Sequence, residues 1–264
     1  MNYKVNFKER FYFTIMLLSS LALYYFIGYS LMSWWHSPKS NAEIIISRLY
    51  MLYFAIFIFF SLLSPLLLKG YLIGNAIKIT PNQFPVYDAV IKNQSALLQL
   101  KKAPEAYILQ SGGMLNAFAT RIWGKNYLVL YSDVLAHALK EGQAEVEFII
   151  AHELGHIKRN HVSSFWNLLI WPAHFIPFLF KAYSRAREYT CDNIGFNVAP
   201  AGAEKGLLLL VAGKHLMNHL NTDDYLYHYQ NDKGLSTFLA EIFSTHPLMT
   251  KRISALKELI DNKE

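Results

Sequence analysis

The segment His152-Glu-Leu-Gly-His156 is the most informative part of this chain. On an α-helix, positions i and i+4 share one face, so His152 and His156 can direct imidazole nitrogens at one metal ion. Glu153 lies about 100° round the helix from the first histidine, where it can reach a water molecule on that ion. Zn²⁺ accepts neutral imidazole and lowers the pKa of a bound water to about 7. The segment therefore predicts a zinc site, with Glu153 as the general base and acid of peptide-bond hydrolysis.

The flanking sequence predicts that this segment lies on a helix of about residues 142–159. Residues 145–151 form an apolar stripe at helical spacing, and Lys158 and Arg159 place positive charge at the expected C-terminus of the helix. A histidine pair at this spacing also occurs on ordinary solvated helix faces. The intervening glutamate and the apolar stripe favour the zinc site over that alternative.

A zinc site of this kind needs a third protein ligand. The metzincin pattern requires a glycine three and a histidine six residues after the second histidine, but Arg159 and Val162 stand there. That class is excluded, and His161, one residue out of register, is expected to be a solvated or headgroup-facing side chain. The gluzincin alternative takes a glutamate from a second helix. Glu188 could be this ligand, and Asp192 could orient a ligating histidine. Taken alone, the two residues are more typical of an amphipathic helix with solvated charges.

Four motifs in a fixed order connect the chain with a known family. They are Asn116-Ala-Phe-Ala-Thr120, His152–His156, Ser184-Arg-Ala-Arg-Glu-Tyr189 with Asp192, and Thr245-His-Pro247 followed by Arg252-Ile253. In these motifs the chain resembles the HtpX and CAAX-prenyl-protease family of membrane-embedded zinc metallopeptidases, from about residue 70 to residue 253. One departure is Cys191, where many relatives carry alanine. A buried cysteine behaves as a small apolar residue, so this departure is compatible with the resemblance.

The resemblance implies roles for four residues outside the zinc motif. Glu188 would be the third zinc ligand, and Asp192 would support the site. His246 would stabilise the oxyanion of the tetrahedral intermediate. Arg252 would hold Asp192 or nearby carboxylates in place.

The resemblance also implies a substrate-binding strand edge beside the zinc. Its residues are Asn116, Ala117, Phe118 and Ala119. An extended substrate would add its own strand there, through main-chain hydrogen bonds that read no particular sequence. The residues alone are more typical of a turn followed by a buried phenylalanine. Short strands are predicted on either side, at residues 106–109 and 127–131.

The composition indicates a membrane protein. Of the 264 residues, 53% are hydrophobic and 15% are aromatic. Residues 11–32 form an uncharged run that would be about 33 Å long as a helix, enough to cross a bilayer. Residues 49–68 form a second run between Arg48 and Lys69. The length of the first run and the presence of the second argue against a cleaved signal peptide, so two transmembrane helices are predicted.

The expected organisation is a membrane anchor over residues 1–69 and one zinc metallopeptidase domain over residues 70–264. The fold of that domain is expected to be mainly α with a small β-sheet, of the α+β gluzincin type. Lys4, Lys8 and Arg10 precede the first span, whereas the linker between the spans is less basic. Positive charge favours the cytoplasmic side. The N-terminus and the catalytic domain are therefore expected in the cytoplasm, in a multi-pass protein of the cell membrane.

Residues 162–182 are as apolar as a third span. A single crossing would place Glu188 on the opposite side of the membrane from His152, and the zinc site could not close. Pro172 and Pro177 interrupt any straight helix, and the run is too short for two spans. Two alternatives survive: a broken hairpin that dips into the near leaflet, or apolar helices that lie at the interface.

The net charge of +6 does not indicate nucleic acid as a partner. Its basic residues flank apolar segments, which fits attraction to anionic lipid headgroups, and no nucleic-acid-binding motif is found. The expected partners are a protein or peptide substrate and the lipid bilayer.

Further along the chain, helices are predicted at about residues 204–220, 236–243 and 248–262. Residues 221–234, polar and rich in tyrosine, are predicted to form a mobile loop.

The combined prediction is an integral membrane zinc endopeptidase that cleaves unfolded or membrane-proximal protein segments. The resemblance implies a role in membrane-protein quality control, and processing of prenylated peptides is also known among the relatives. The alternative from another class is a membrane-anchored pseudo-peptidase, which binds partners and does no chemistry. Such a protein has no need of Glu153. A second enzymatic alternative is a metal hydrolase that acts on amides other than peptides.

Overall fold

The fold is mainly α-helical with one small β-sheet, as predicted. The computed structural model describes residues 3–37, 39–110, 112, 116–139 and 142–262. The helices are α1 (Phe7–His36), α2 (Asn41–Asn75), α3 (Pro85–Leu97), α4 (Ser132–Ala138), α5 (Gln143–Lys158), α6 (Ser164–Leu169), α7 (Leu179–Val198), α8 (Ala203–Leu216), α9 (Thr222–Asp232), α10 (Leu235–Phe243) and α11 (Met249–Asp261). Short 3₁₀ turns lie at Trp171–Phe175, Pro200–Gly202 and Met217–His219. The strands are β1 (Ile77–Lys78), β2 (Glu105–Leu109), β3 (Ala117–Ile122) and β4 (Lys125–Tyr131).

Two long apolar helices, α1 and α2, precede the sheet. Each is long and apolar enough to cross a membrane, and many of their large apolar side chains are exposed rather than packed in a core. Both extend beyond the predicted residues 11–32 and 49–68. Asn6 caps the start of α1, and Ser40 and Glu43 form a capping box at the start of α2. Exposure of this kind is typical of helices that face lipid rather than water.

The sheet has the strand order β1-β2-β4-β3, so β3 lies at its edge. β2 and β4 run in parallel, at the positions predicted for strands. β3 and β4 pair antiparallel around Trp123 and Gly124, whose φ angles of 46° and 81° are those of a two-residue hairpin turn. Residues 117–122 therefore form a strand. The alternative of a plain turn followed by a buried phenylalanine is wrong.

Helix α5 lies at the centre of the core and carries the His-Glu-Leu-Gly-His segment. It packs against α7, α8 and β3, and Val146 and Leu154 are fully buried on it. Its ends agree with the predicted residues 142–159. α7 comes close to α5 because Gly195 has no side chain: a Cβ there would lie 2.7 Å from the Phe148 ring. This close approach brings the side chains of α5 and α7 together at one end of the core.

Residues 162–182 do not form a single crossing helix. They fold into α6, a 3₁₀ turn and the start of α7, and they pack against α1. The Tyr24 hydroxyl donates a hydrogen bond to the Leu168 carbonyl at 2.7 Å, and the Ala173 N–H donates to the Ser20 hydroxyl at 3.1 Å. The chain thus returns to α5 after this segment. Whether the segment enters a bilayer stays a prediction.

For the C-terminal part of the chain, the three predicted helices are confirmed and the predicted loop is wrong. α8 with its 3₁₀ turn, α10 and α11 lie where helices were predicted, but residues 221–234 are not a loop. Most of them form α9, and Gly234 is the N-cap of α10. The Asn221 side chain accepts hydrogen bonds from the N–H groups of Asp223 and Asp224, and Leu226 is buried. A good N-cap and one buried contact are enough to order a helix that is polar overall.

Candidate metal centre

Three predicted ligands converge at the contact between α5 and α7. The Nε2 atoms of His152 and His156 are 3.3 Å apart, and each lies 3.5 Å from a carboxylate oxygen of Glu188. Zinc–nitrogen and zinc–oxygen bonds of about 2.1 Å in a tetrahedron place neighbouring ligand atoms about 3.4 Å apart. These three groups therefore fit Zn²⁺ in chemistry and in spacing.

A pair of charged residues supports the first ligand. His152 Nδ1 lies 2.9 Å from Asp192 Oδ1, on the side of the ring away from Glu188. Arg252, from α11, donates hydrogen bonds to both Asp192 oxygens and lies 3.4 Å from a Glu188 oxygen. All four residues are buried. The structure thus brings Asp192 and Arg252 to the places that the family resemblance implies.

The electrostatics of the ligands favour a cation. Burial lowers the pKa of His156 well below its usual value, which keeps the ring neutral. Burial alone would raise the pKa of Glu188, but hydrogen bonding to His152 and the charge of Arg252 hold it well below its usual value. Burial also lowers the pKa of His152, but hydrogen bonds to Asp192 and Glu188 outweigh it and raise that pKa to about 10. Because a ligating imidazole is deprotonated, a bound cation takes the place of this proton.

Glu153 lies next to the ligands and to the edge strand. The Ala119 N–H donates a hydrogen bond to Glu153 Oε2 at 2.9 Å. Burial raises the pKa of Glu153 to about 7. A carboxyl group with a pKa near neutrality can both accept and return a proton, which is what a general base and acid requires.

His246, another predicted site residue from the C-terminal part of the chain, lies at the open side of the centre. Its Nε2 is 3.9 Å from Glu188 Oε1, and its side chain is 63% exposed. The Thr245 hydroxyl lies 3.1 Å from the other ring nitrogen. His246 is close to the centre without lying within bonding distance of the ligand atoms, so the geometry suits a hydrogen-bond donor to a substrate.

A cavity of about 1120 Å³ connects these groups with the edge strand and the two long helices. The four predicted substrate-binding residues line it: Asn116, Ala117, Phe118 and Ala119. Its far wall is apolar and comes from α1, α2 and α6. The N–H groups of Ala117 and Ala119 face the free edge of β3, where they donate to the side chains of Asn116 and Glu153. The cavity therefore has one wall that can pair with a main chain and another that is apolar.

Sequence comparison identifies the family. The sequence profile of peptidase family M48 matches residues 81–170 and 163–260, which together are more than half of the chain. The chain belongs to peptidase family M48. The metal centre and the edge strand of this M48 chain lie within the matched residues, as do the C-terminal helices up to Ile260. The family resemblance and the peptidase-family class that the sequence predicted are thus confirmed.

Three curated relatives are similar to this M48 chain over part of their length. It is 27% identical to "Plastoglobule-localized metallopeptidase 48, chloroplastic" of Arabidopsis thaliana, over 70% of this chain and 60% of the relative. It is 22% identical to "Protease HtpX homolog" of Fusobacterium nucleatum (62% and 66%) and 26% identical to "Protease HtpX" of Haemophilus influenzae (55% and 64%). The chain therefore spans about three fifths to two thirds of these relatives. The crystal structure of S. mikatae Ste24p aligns with a TM-score of 0.48 and 15% identity, covering 96% of this chain and 67% of that one.

One residue of the M48 chain was placed wrongly by the sequence. His161 is neither solvated nor at a lipid headgroup: it is 5% exposed, between α5 and α7. Its Nδ1 lies 3.1 Å from His156 Nδ1, and its Nε2 lies 3.3 Å from Glu9 Oε1. Glu9 belongs to the first turn of α1, 152 residues earlier in the chain. A local sequence pattern carries no signal for a contact at that separation.

Proposed function

We propose that this chain is an integral membrane, zinc-dependent endopeptidase. The observation that carries the proposal is the convergence of His152, His156 and Glu188 at ligand spacing, with Glu153 between them and the free edge of β3. Peptide-bond hydrolysis needs these parts together: a cation site, a proton carrier and a surface that holds an extended chain. An amide other than a peptide would not need the strand edge.

In this proposal the three ligands hold Zn²⁺, and each remaining residue has its own task. The cation, when bound, acts as a Lewis acid toward the scissile carbonyl and lowers the pKa of water. Glu153 takes the proton of the attacking water and delivers it to the leaving amine, for which a pKa of about 7 is suitable. His246 donates a hydrogen bond to the oxyanion as it develops. Asp192, held by Arg252, fixes the ring of His152.

The substrate lies along β3 as an added strand. Main-chain groups of Ala117 and Ala119 face the free edge, so a peptide there would replace the side chains of Asn116 and Glu153 as their partners and exchange hydrogen bonds with alternate residues of β3. Such contacts are independent of side-chain sequence and require an extended backbone. Unfolded or membrane-proximal segments meet that requirement, which fits a role in membrane-protein quality control.

The membrane assignment rests on α1 and α2. Both spans cross the bilayer as a hairpin, with residues 1–69 as the anchor and residues 70–264 as the metallopeptidase domain. Basic residues before α1 support a cytoplasmic N-terminus and, after two crossings, a cytoplasmic catalytic domain. The apolar wall of the cavity, formed partly by these helices, then lies beside the lipid.

The test is cleavage of casein by the purified full chain in detergent, with and without a metal chelator. We expect activity that the chelator removes, that zinc restores, and that Glu153→Gln lowers by at least about 10² while zinc stays bound. The matched control is Glu147→Gln on the same helix, where the glutamate accepts a hydrogen bond from Gln143 and touches no ligand. We also expect Glu188→Ala to lose zinc, as measured by metal analysis.

The results also separate the alternatives. A chain that binds zinc but cleaves no casein or other unfolded protein would support the pseudo-peptidase. Activity on simple amides without activity on proteins would support the non-peptide hydrolase. Stoichiometric zinc in the Glu188→Ala variant would remove Glu188 from the ligand set.

A further inference from the structure

A buried row of hydrogen-bonding groups runs from the first turn of α1 to the second zinc ligand. His156 Nδ1 lies 3.1 Å from His161 Nδ1, and His161 Nε2 lies 3.3 Å from Glu9 Oε1. Arg159 donates two hydrogen bonds to the same Glu9 oxygen, at 3.1 and 2.8 Å. Glu9 is only 3% exposed. We call Glu9, His161 and His156 the relay.

The Glu9 carboxylate, at one end of the relay, determines which ring nitrogen of each histidine carries the proton. The Glu9 carboxylate only accepts hydrogen bonds, so His161 Nε2 carries a proton. In a neutral ring the other nitrogen, Nδ1, then has a free lone pair, and it accepts from Nδ1–H of His156 at 3.1 Å rather than from the weaker donor, the Cys191 thiol, at 3.7 Å. That leaves His156 Nε2 with its lone pair directed toward Glu188 and His152. The relay thus selects the tautomer of His156 that a cation at the predicted site requires.

Backbone hydrogen bonds fix the first turn of α1, which carries Glu9, against α7. Immediately before it, the N–H of Lys4 donates to Asn193 Oδ1 at 2.9 Å and the N–H of Asn6 donates to Thr190 Oγ1 at 3.1 Å. Both acceptors belong to α7, the helix that carries Glu188. α1 and α7 therefore share a fixed contact, and Glu9 is positioned relative to both ligand helices.

The other ligating histidine, His152, is oriented by a similar arrangement of a carboxylate and a guanidinium group. For His152 the partner is the Asp192 carboxylate, which is paired with Arg252. For His156 the carboxylate is Glu9, paired with Arg159 and acting through one intervening imidazole. In both cases an anion with its own guanidinium partner orients the nitrogen that does not face the site.

We infer that Glu9 and His161 are positioning residues for the metal centre, so that the first turn of a membrane helix helps to build the zinc site. This inference rests on the proposed zinc site and names a function for α1 beyond anchoring. Removing either residue should weaken metal binding even though neither touches the cation. Loss of such an outer partner typically weakens metal binding about 10- to 100-fold.

The test is the zinc dissociation constant of the full-length protein, measured by competition with a chromophoric chelator, together with the visible spectrum of the cobalt-substituted protein. We expect His161→Phe to weaken zinc binding about 10- to 100-fold and to change the cobalt spectrum. Glu9→Gln keeps an acceptor oxygen, so it should give a smaller loss than Glu9→Leu. The matched control is Cys191→Ala: its sulfur is buried 3.7 Å from His161 Nδ1 but lies outside the relay, and the variant should bind zinc like the parent.

Each result decides between explanations. If the parent binds zinc and the His161→Phe and Glu9→Leu proteins bind it equally tightly with an unchanged cobalt spectrum, the inference fails and the proposed function stands. If the parent binds no zinc, the proposed function itself fails. If Cys191→Ala weakens binding as much as His161→Phe, or the parent holds two ions, then His156, His161 and Cys191 bind a cation themselves and the relay is overturned. Where Glu9→Leu does not fold, Glu9→Gln still tests the relay.

Discussion

Arg252 holds Asp192 by two hydrogen bonds, from Nε to Oδ2 at 2.8 Å and from Nη2 to Oδ1 at 2.6 Å. The geometry is the bidentate pairing of a guanidinium with a carboxylate, and both groups are buried. Arg252 comes from α11 and Asp192 from α7, so the pair fastens the C-terminal helix of the described chain to the metal centre. The third guanidinium nitrogen of Arg252, Nη1, lies 3.4 Å from Glu188 Oε2.

Replacing Arg252 by methionine should therefore affect both stability and metal binding. The substitution leaves Asp192 as an uncompensated buried charge, which costs about 3–5 kcal/mol. Arg252→Lys keeps the charge but not the two parallel hydrogen bonds, so its effect should be intermediate. Denaturant unfolding measures the loss. The matched control, Lys257→Met on the same helix, removes a surface pair with the exposed Asp223 and should cost less than about 1 kcal/mol. Equal effects of the two substitutions would contradict this account.

The parts of the fold that were predicted correctly depend on local sequence. The ends of α5 follow from an apolar stripe, a motif at i, i+4 spacing and basic residues in the last turn, all within residues 142–159. β2 and β4 follow from short runs of β-forming residues. Glu188, by contrast, was expected near the histidines only because of the family resemblance, since its own segment is more typical of a solvated amphipathic helix.

The parts that were missed depend on contacts between distant segments. His161 is buried because Glu9 reaches it from α1, and nothing near His161 in the sequence indicates such a partner. β3 was expected only because of the family resemblance: its own residues are more typical of a turn, and it is a strand because the turn at Trp123 and Gly124 folds it against β4. The helix α9 depends on the Asn221 cap, which the polar composition of the segment concealed.

Gly202 is expected to tolerate no larger residue. A Cβ at this position would lie 1.8 Å from the Ala144 carbonyl oxygen and 2.5 Å from the Glu145 nitrogen, both in the backbone of the first turn of α5. A backbone cannot rotate away as a side chain can, so Gly202→Ala should destabilise the protein by about 3 kcal/mol or more. Gly74→Ala is the control, because a Cβ there meets nothing within 4 Å. The midpoints of thermal unfolding compare the two, and a parent-like midpoint for Gly202→Ala would show that this contact is not as tight as described.

Substrate binding by strand addition predicts an alternating effect of N-methylation. Ala117 and Ala119 face the free edge of β3, so a bound peptide would donate only every second N–H to the enzyme. Methylating one of those amides should raise KM about tenfold, because it removes a hydrogen bond and adds bulk at the contact. Methylation of the neighbouring amides, which point away, is the control and should have little effect. A KM that is independent of the methylated position would rule out this binding mode.

The role of His246 can be separated from that of a ligand. His246 lines the cavity, and its Nε2 is 3.9 Å from a Glu188 oxygen, so the proposed hydrogen bond to the oxyanion would form only as charge develops on the substrate. His246→Ala should therefore lower kcat about 10²- to 10³-fold, with little change in KM and full retention of zinc. His246→Gln should recover part of the rate, because its amide can still donate. The control is His228→Ala, which removes an exposed histidine paired with Asp224 outside the cavity and should leave kcat unchanged. Loss of zinc from His246→Ala would instead assign His246 to the ligand set.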